Sequence, residues 1–379
     1  MGVDSLSSSP GPGPSDTRWL AKADLALLFA ALADRGYEII GPTVAQGAIV
    51  YDRLQSVDDL PRGWTEVQGP GSYRLERRDD DALFGFVVGP HSWKQFLFPA
   101  TATVATAQRT SDGWEMQTPA EAVPKYAFLG VRACEIAAIR VQDRVFLEGA
   151  YVDPIYAARR RQALIVAVNC TQAAPTCFCT SMNTGPRCHT GFDLALTELA
   201  DGFTIESGSD AGQEIFDSLT QQQVSRQQLR DAEAARQRAV DQITRRLDTD
   251  GIRDLLLSNL EHPRWNEVAE RCLSCSNCTM VCPTCFCSSV KEVTDLQGDQ
   301  VERQRQWDSC FSVDFSYMNG GIVRNQIHSR YRQWLSHKLA SWIDQFDTSG
   351  CVGCGRCITW CPVGIDLTEE VAAIRGTPP

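Results

Sequence analysis

The chain of 379 residues contains no apolar run approaching the ~18 residues a membrane-spanning helix needs. Its first 17 residues are rich in Ser, Gly and Pro and lack a basic stretch followed by an apolar one. That is not a secretory signal, and a cytoplasmic location is expected. Positive charge is not in excess: the formal net charge is -11, which argues against a general nucleic-acid binder. Histidine is scarce, with five in all, and none has a partner at a convincing metal spacing. No G-x-G-x-x-G follows a strand pattern, and there is no P-loop, nucleophile elbow or H-E-x-x-H. The chain carries no short motif for nucleotide, acyl or zinc-hydrolase chemistry of its own.

Cysteine, in contrast, is abundant. Sixteen in a chain expected to meet a reducing compartment are poorly explained as disulfides. Metal ligation or thiol redox chemistry is the better reading. Eleven of the sixteen follow residue 271, and all of those but Cys310 sit in tight clusters.

With 43% hydrophobic and 22% charged residues the chain can bury sizeable cores. The expected fold class is α+β. A tail at 1–17 precedes an N-terminal mixed α/β domain at 18–210. An exposed helical connector follows at 211–260, then a mainly helical, two-cluster ferredoxin-like module at 261–379. Leucines at near-helical spacing suggest a helix over 19–32, and short apolar runs with Gly/Pro punctuation suggest strands and turns from 36 to about 104. Tyr126–Val131, a helix over 133–147, a short helix over 153–161 and the apolar run at 163–168 form a strand–helix–strand pattern of a parallel, doubly covered sheet. Ile327, Tyr331, Trp334, Leu335, Leu339, Trp342 and Phe346 fit one face of a long helix.

Two motifs are specific. Cys272, Cys275, Cys278 and Cys282 follow C-x2-C-x2-C-x3-C-P, and Cys351, Cys354, Cys357 and Cys361 repeat it. This is the bacterial ferredoxin spacing for a cubane [4Fe-4S] cluster. Three thiolates with two-residue spacers sit on one compact loop and reach three irons of one cube. The fourth cysteine begins the next segment. In two-cluster ferredoxins it serves the other cube, which predicts one cluster on Cys272, Cys275, Cys278 and Cys361. The other is then held by Cys351, Cys354, Cys357 and Cys282. Four-cysteine zinc sites use two C-x2–4-C pairs and fit this pattern badly.

A looser group lies in the N-terminal half. Cys134 opens a helix just beyond one strand, and Cys170 lies just beyond the next. If the strands are parallel neighbours, both thiols reach the carboxyl edge of the sheet, where α/β folds place ligands. A helix N-terminus favours a thiolate at Cys134. Cys177 and Cys179 follow in the same loop, so Cys134, Cys170, Cys177 and Cys179 are candidates for a third metal centre. It would be a third [4Fe-4S] cluster or a structural zinc, with ordinary buried cysteines as the bland alternative. The loop's Pro175-Thr-Cys-Phe-Cys recurs as Pro283-Thr-Cys-Phe-Cys, which places Cys285 and Cys287 beside the ferredoxin motifs. Those two are candidate ligands, cluster shields or a redox pair. Cys188, His189 and Cys310 are spare candidates.

The runs FLGVRACEIAAIRVQDRVFL and DPIYAARRRQALIVAVNC, the loop PTCFCTSMNTGP and the final ferredoxin pair resemble one family. It is that of the beta subunit of cytoplasmic sulfhydrogenases, [NiFe] hydrogenases that couple hydrogen to NADP or sulfur. The same family contains a subunit of anaerobic sulfite reductase. The resemblance implies an iron–sulfur relay that connects a flavin/NAD(P)-binding subunit with the small subunit of the hydrogenase, itself paired with the large subunit, or with a siroheme subunit in the sulfite reductase branch. By motif the eight ferredoxin cysteines carry over as ligands, and no catalytic residue is assigned. Two readings of other kinds remain: a free-standing iron–sulfur redox sensor, and a subunit that reduces polysulfide itself through Cys285, Cys287 and Cys310.

Overall fold

The computed structural model describes residues 17–117, 122–219 and 222–376, so the tail expected at 1–17 lies, apart from Thr17, outside the described residues. Its centre is an eight-stranded mixed sheet. From one edge the order is Gln222–Gln223, Arg18–Ala21, Gly202–Ser207, Leu194–Glu198, Leu164–Val168, Tyr126–Val131, Glu38–Ala45 and Ala48–Arg53. The four middle strands, from Leu194–Glu198 to Glu38–Ala45, run parallel, and the outer ones pair antiparallel. Every residue of Tyr126–Val131 and Leu164–Val168 is buried. Such strands have no solvated face, which is why their sequence is continuously apolar rather than alternating.

Local signals set the flanking helices. Ala133–Phe146 begins where Glu135, at its third position, accepts from the backbone N–H of Arg132 (3.0 Å). Pro154–Gln162 starts on Asp153, whose carboxylate accepts from Tyr156 N–H (2.8 Å), with Pro154 in the first turn. At the chain's start the structure differs from expectation. Trp19 and Leu20 lie in the strand Arg18–Ala21, second from the edge of the sheet, and the helix is Leu25–Asp34. The β-sheet register with Gly202–Ser207 overrode the leucine spacing. The 211–260 segment is helical in pieces, but Arg226–Gln242 buries Ala232, Ala235 and Ala239, so a stripe of small residues packs rather than remaining solvated.

The stretch between the cysteine motifs also departs from a mostly helical reading. Ser288–Thr294 and Gln300–Trp307 form a hairpin that pairs with Thr101–Thr110, which in turn pairs with Gly113–Gln117. Strands from both ends of the chain thus share one four-stranded antiparallel sheet. Polar residues on both its faces hid the hairpin from apolar periodicity. The aromatic helix is present as Ile327–Ser336 and Trp342–Phe346, joined by one π-helical turn, His337–Ser341.

One buried ion pair joins the two halves. Arg356, inside the second cysteine motif, donates to Glu135 on the helix after strand Tyr126–Val131, and both side chains are almost wholly buried. Glu135 also accepts from Tyr51 Oη (2.9 Å) and Trp93 Nε1 (3.0 Å). Arg356 further donates to the carbonyls of Gly89 (2.9 Å) and His91 (2.8 Å). Glu135→Ala leaves a buried guanidinium without its counter-charge and is expected to cost about 3–5 kcal/mol in denaturant unfolding. A loss below about 1 kcal/mol would show that the pair does not couple the halves.

A second buried carboxylate gives a pH dependence. Burial, opposed by a hydrogen bond from Val87 N–H (2.6 Å), raises the Glu66 pKa from 4.5 to about 7, and its Oε2 is buried without a partner. The folded state therefore keeps its proton where the unfolded chain releases it. The stabilising contribution is complete below pH 4.5 and is lost as pH rises through about 7. Glu66→Gln is expected to be more stable than the parent at about pH 8, by up to on the order of 3 kcal/mol, and level with it near pH 4.5. Melting temperatures at the two pH values check this, and a gap that fails to widen with pH would refute it.

Candidate iron–sulfur site

Both ferredoxin motifs adopt the same turn. Ser274 and Ser276 flank Cys275 with φ of 52° and 68°, and Gly353 and Gly355 flank Cys354 with φ of 66° and 77°. Left-handed residues on each side of the middle cysteine coil the chain around a common centre. Serine, strained there by an order of 1 kcal/mol, suffices in the first copy. Glycine is required in the second. A Cβ on Gly353 would come within 2.7 Å of Cys179 Cα, and one on Gly355 within 2.4 Å of the Thr176 carbonyl.

The turns gather the thiols of both motifs. Cys278 lies within electrostatic reach of Cys272, Cys361, Cys275 and, more weakly, Cys282. Cys272, Cys275, Cys278 and Cys361 line one cavity with Phe311, Tyr331 and Trp334. Cys357 and Cys351 face each other, Cys354 and Cys282. The fourth cysteine of each motif thus lies near thiols of the other motif. The donor set suits a cubane: four soft thiols surround each centre. Tyr331 Oη and Trp334 Nε1 are buried beside the first cavity without a hydrogen-bond partner, and both are donors that an inorganic sulfide would satisfy. Among the described residues no three His, Cys, Asp or Glu side chains converge closely enough for one metal ion. A cube keeps its ligand sulfurs farther apart than a single tetrahedral ion does.

The looser N-terminal group also converges. Strands Tyr126–Val131 and Leu164–Val168 are parallel neighbours, so Cys134 and Cys170 reach the same sheet edge. Cys134 lies within electrostatic reach of Cys179 and Cys170, and Cys177 within that of Cys170. All four are buried. Cys354 of the second motif is within reach of Cys134, Cys177 and Cys179, so this group abuts the second ferredoxin group. Phe178 N–H donating to Gly353 O (2.9 Å) and Thr184 Oγ1 donating to Val352 O (2.6 Å) hold the loops together. Cys188 is buried, its N–H on Asn169 Oδ1 (2.8 Å) and its thiol within reach of Cys170. His189 is exposed and stands apart.

Burial pushes the thiols of Cys278, Cys357 and Cys134 well above their ordinary value, and that of Cys177 up to about 12. For Cys134 the burial outweighs the favour a helix N-terminus gives a thiolate. Without metal these groups hold protons, so ligation must release them. Cys282 behaves oppositely: hydrogen bonding with Cys285 and the charges of Lys338 and Lys94 hold it well below the ordinary thiol value despite burial. Cys285 contacts Cys282, and Cys287 contacts Cys310, which holds the Cys287 thiol near 7.

Sequence reasoning passed over the charged residues around the thiols: Lys338, Lys94, Arg132, Glu135 and Arg356. Lys338 carried a signal. At three residues from Leu335 and four from Trp334 and Trp342, it occupies the apolar stripe of its helix, where a cation has no place without a buried partner.

A family model described as "4Fe-4S dicluster domain" matches residues 271–365. The chain is 33% identical over 259 residues to sulfhydrogenase 2 subunit beta of Pyrococcus furiosus, covering 66% of this chain and 74% of that protein. No solved structure matches it. Among the described residues no helix is long and apolar enough to cross a membrane. With a 4Fe-4S dicluster domain and identity across most of that relative's length, the chain belongs to the sulfhydrogenase beta-subunit family and is an iron–sulfur electron-transfer subunit.

Proposed function

We propose that the chain relays single electrons within a cytoplasmic [NiFe] hydrogenase of the sulfhydrogenase type, connecting a flavin/NAD(P)-binding subunit with the small hydrogenase subunit. One [4Fe-4S] cluster is held by Cys272, Cys275, Cys278 and Cys361. The second is held by Cys351, Cys354, Cys357 and Cys282. Cys134, Cys170, Cys177 and Cys179 hold a third centre, also a [4Fe-4S] cluster. When bound, such a cluster supplies one-electron transfer with little change in its bonds.

The observation that carries this reading is that the three thiol groups stand in series. Cys357 lines the cavity of the first group, and Cys278 lies within reach of Cys282 of the second. Cys354 bridges the second group to Cys134, Cys177 and Cys179. The chain's own residues shield this path: Phe311, Tyr331 and Trp334 wall the first group, and Phe178, which lies between Cys177 and Cys179 in sequence, is fully buried with its N–H on Gly353 O. Cys275 is exposed beside Leu273, which is 61% exposed, so the first group has an outlet at the surface for exchange with a partner.

Purification of the native complex tests the assignment. Nickel, flavin and hydrogen-dependent nicotinamide reduction are the expected outcome. Siroheme without nickel would move the chain to the sulfite reductase branch. A chain that is monomeric in extracts, with no catalytic partner, would leave the redox-sensor reading in its place.

Iron analysis of anaerobically prepared variants tests the ligands. Cys275→Ala should lose about four irons and destabilise the C-terminal module, because cluster binding and folding are linked. Cys134→Ala should also lose about four irons while both ferredoxin clusters keep their signals; unchanged iron in this variant would remove the third centre from the relay.

A further inference from the structure

The two ferredoxin groups sit in unlike electrostatic surroundings. Lys338, on the π-helical turn, is buried and donates to Cys282 Sγ (3.1 Å), Thr284 Oγ1 (3.0 Å) and Gly350 O (2.7 Å). Three acceptors match the three protons of an ammonium. None of the acceptors is a carboxylate. A buried ammonium needs a counter-charge; Cys282, Cys285, Cys351 and Cys357 face it, and Cys282 is the sulfur it contacts directly.

A second buried lysine stands nearby. Lys94, also buried, donates to the carbonyl of Cys285 (3.1 Å) and lies 3.9 Å over the Trp307 ring. Cys285, Cys282 and Cys287 are the thiols whose charge it feels most. Among the described residues no Lys or Arg donates to a sulfur of the first group. Arg330, whose charge Cys272 feels, donates to Ser274 Oγ (3.2 Å) and to the carbonyls of Arg324 (3.2 Å) and Asn325 (3.3 Å). The cavity wall is aromatic.

We propose that Lys338, assisted by Lys94, sets the reduction potential of the cluster on Cys351, Cys354, Cys357 and Cys282 above that of the cluster on Cys272, Cys275, Cys278 and Cys361, making it the resting place of the relayed electron. This rests on the ligand sets proposed above. A four-thiolate cube is an anion in its oxidised form, and one added electron makes it more negative. A fixed cation in a low-dielectric interior stabilises that extra charge, and the cube's potential follows its hydrogen bonds and surroundings. No proton or bond change is required: one electron arrives from the neighbouring redox group and one leaves. The π-helical turn fits the role, since such turns occur where a helix must deliver a side chain out of its regular register.

The test is a redox titration of the full chain, prepared anaerobically and followed by the paramagnetic signals of the reduced clusters. Cys351→Ser, which alters one ligand, identifies the wave of the second cluster. Lys338→Gln should move that wave to lower potential with iron content unchanged. Lys338→Arg should return it toward the parent value, and Lys94→Met should move it in the same direction as Lys338→Gln, by less. Loaded Lys338→Gln with the second cluster's wave in place, whether or not another wave is displaced, would overturn the proposal. Should Lys338→Gln not load iron, Lys94→Met decides by the same criterion. Parent protein without reducible clusters would sink the ligand assignment instead, so the two failures are distinguishable.

Discussion

The carboxylate of Glu135 holds the molecule's two halves to one another. It sits one residue after Cys134, at the carboxyl edge of the central sheet, and receives the guanidinium of Arg356, which lies between Cys354 and Cys357. A buried pair of this kind adds little net stability compared with an apolar contact of equal size. Its effect is positional: a displaced partner would leave an unpaired charge in the interior, so the second cysteine motif has one permitted seat on the sheet. The proximity of Cys354 to Cys134, Cys177 and Cys179 follows from that seat.

The repeated Pro-Thr-Cys-Phe-Cys segment gains meaning from the same seating. Both copies grip the second motif. In the first, Thr176 packs on Gly355 and Phe178 N–H bonds to Gly353 O. In the second, Thr284 Oγ1 donates to Gly350 O (2.6 Å). Their cysteines then meet different environments. Cys177 and Cys179 face other buried thiols, whereas Cys285 lies beside Cys282 and between two lysines. Identical local sequence, placed on opposite sides of one loop, serves a candidate ligand set in one case and a charged second layer in the other.

Long-range pairing also explains where the chain's regular patterns mislead. Trp19 and Leu20 join a strand because Gly202–Ser207 offers an unpaired edge. The hairpin Ser288–Trp307 exists because Thr101–Thr110 accepts it, and its polar faces give no apolar period to detect. Only the partner strand, almost 200 residues away in sequence, stabilises either conformation.

By itself the sequence determined the two ferredoxin turns and the parallel strands beneath Cys134 and Cys170. These rest on local geometry: spacer lengths of two and three residues and continuous apolar strands. The tertiary structure alone decided that the N-terminal thiols abut Cys354, that Glu135 meets Arg356, and that Lys338 reaches Cys282. Charges found at separations of 56 to 221 residues have no period or motif, and their energies exist only once water has been excluded from between them.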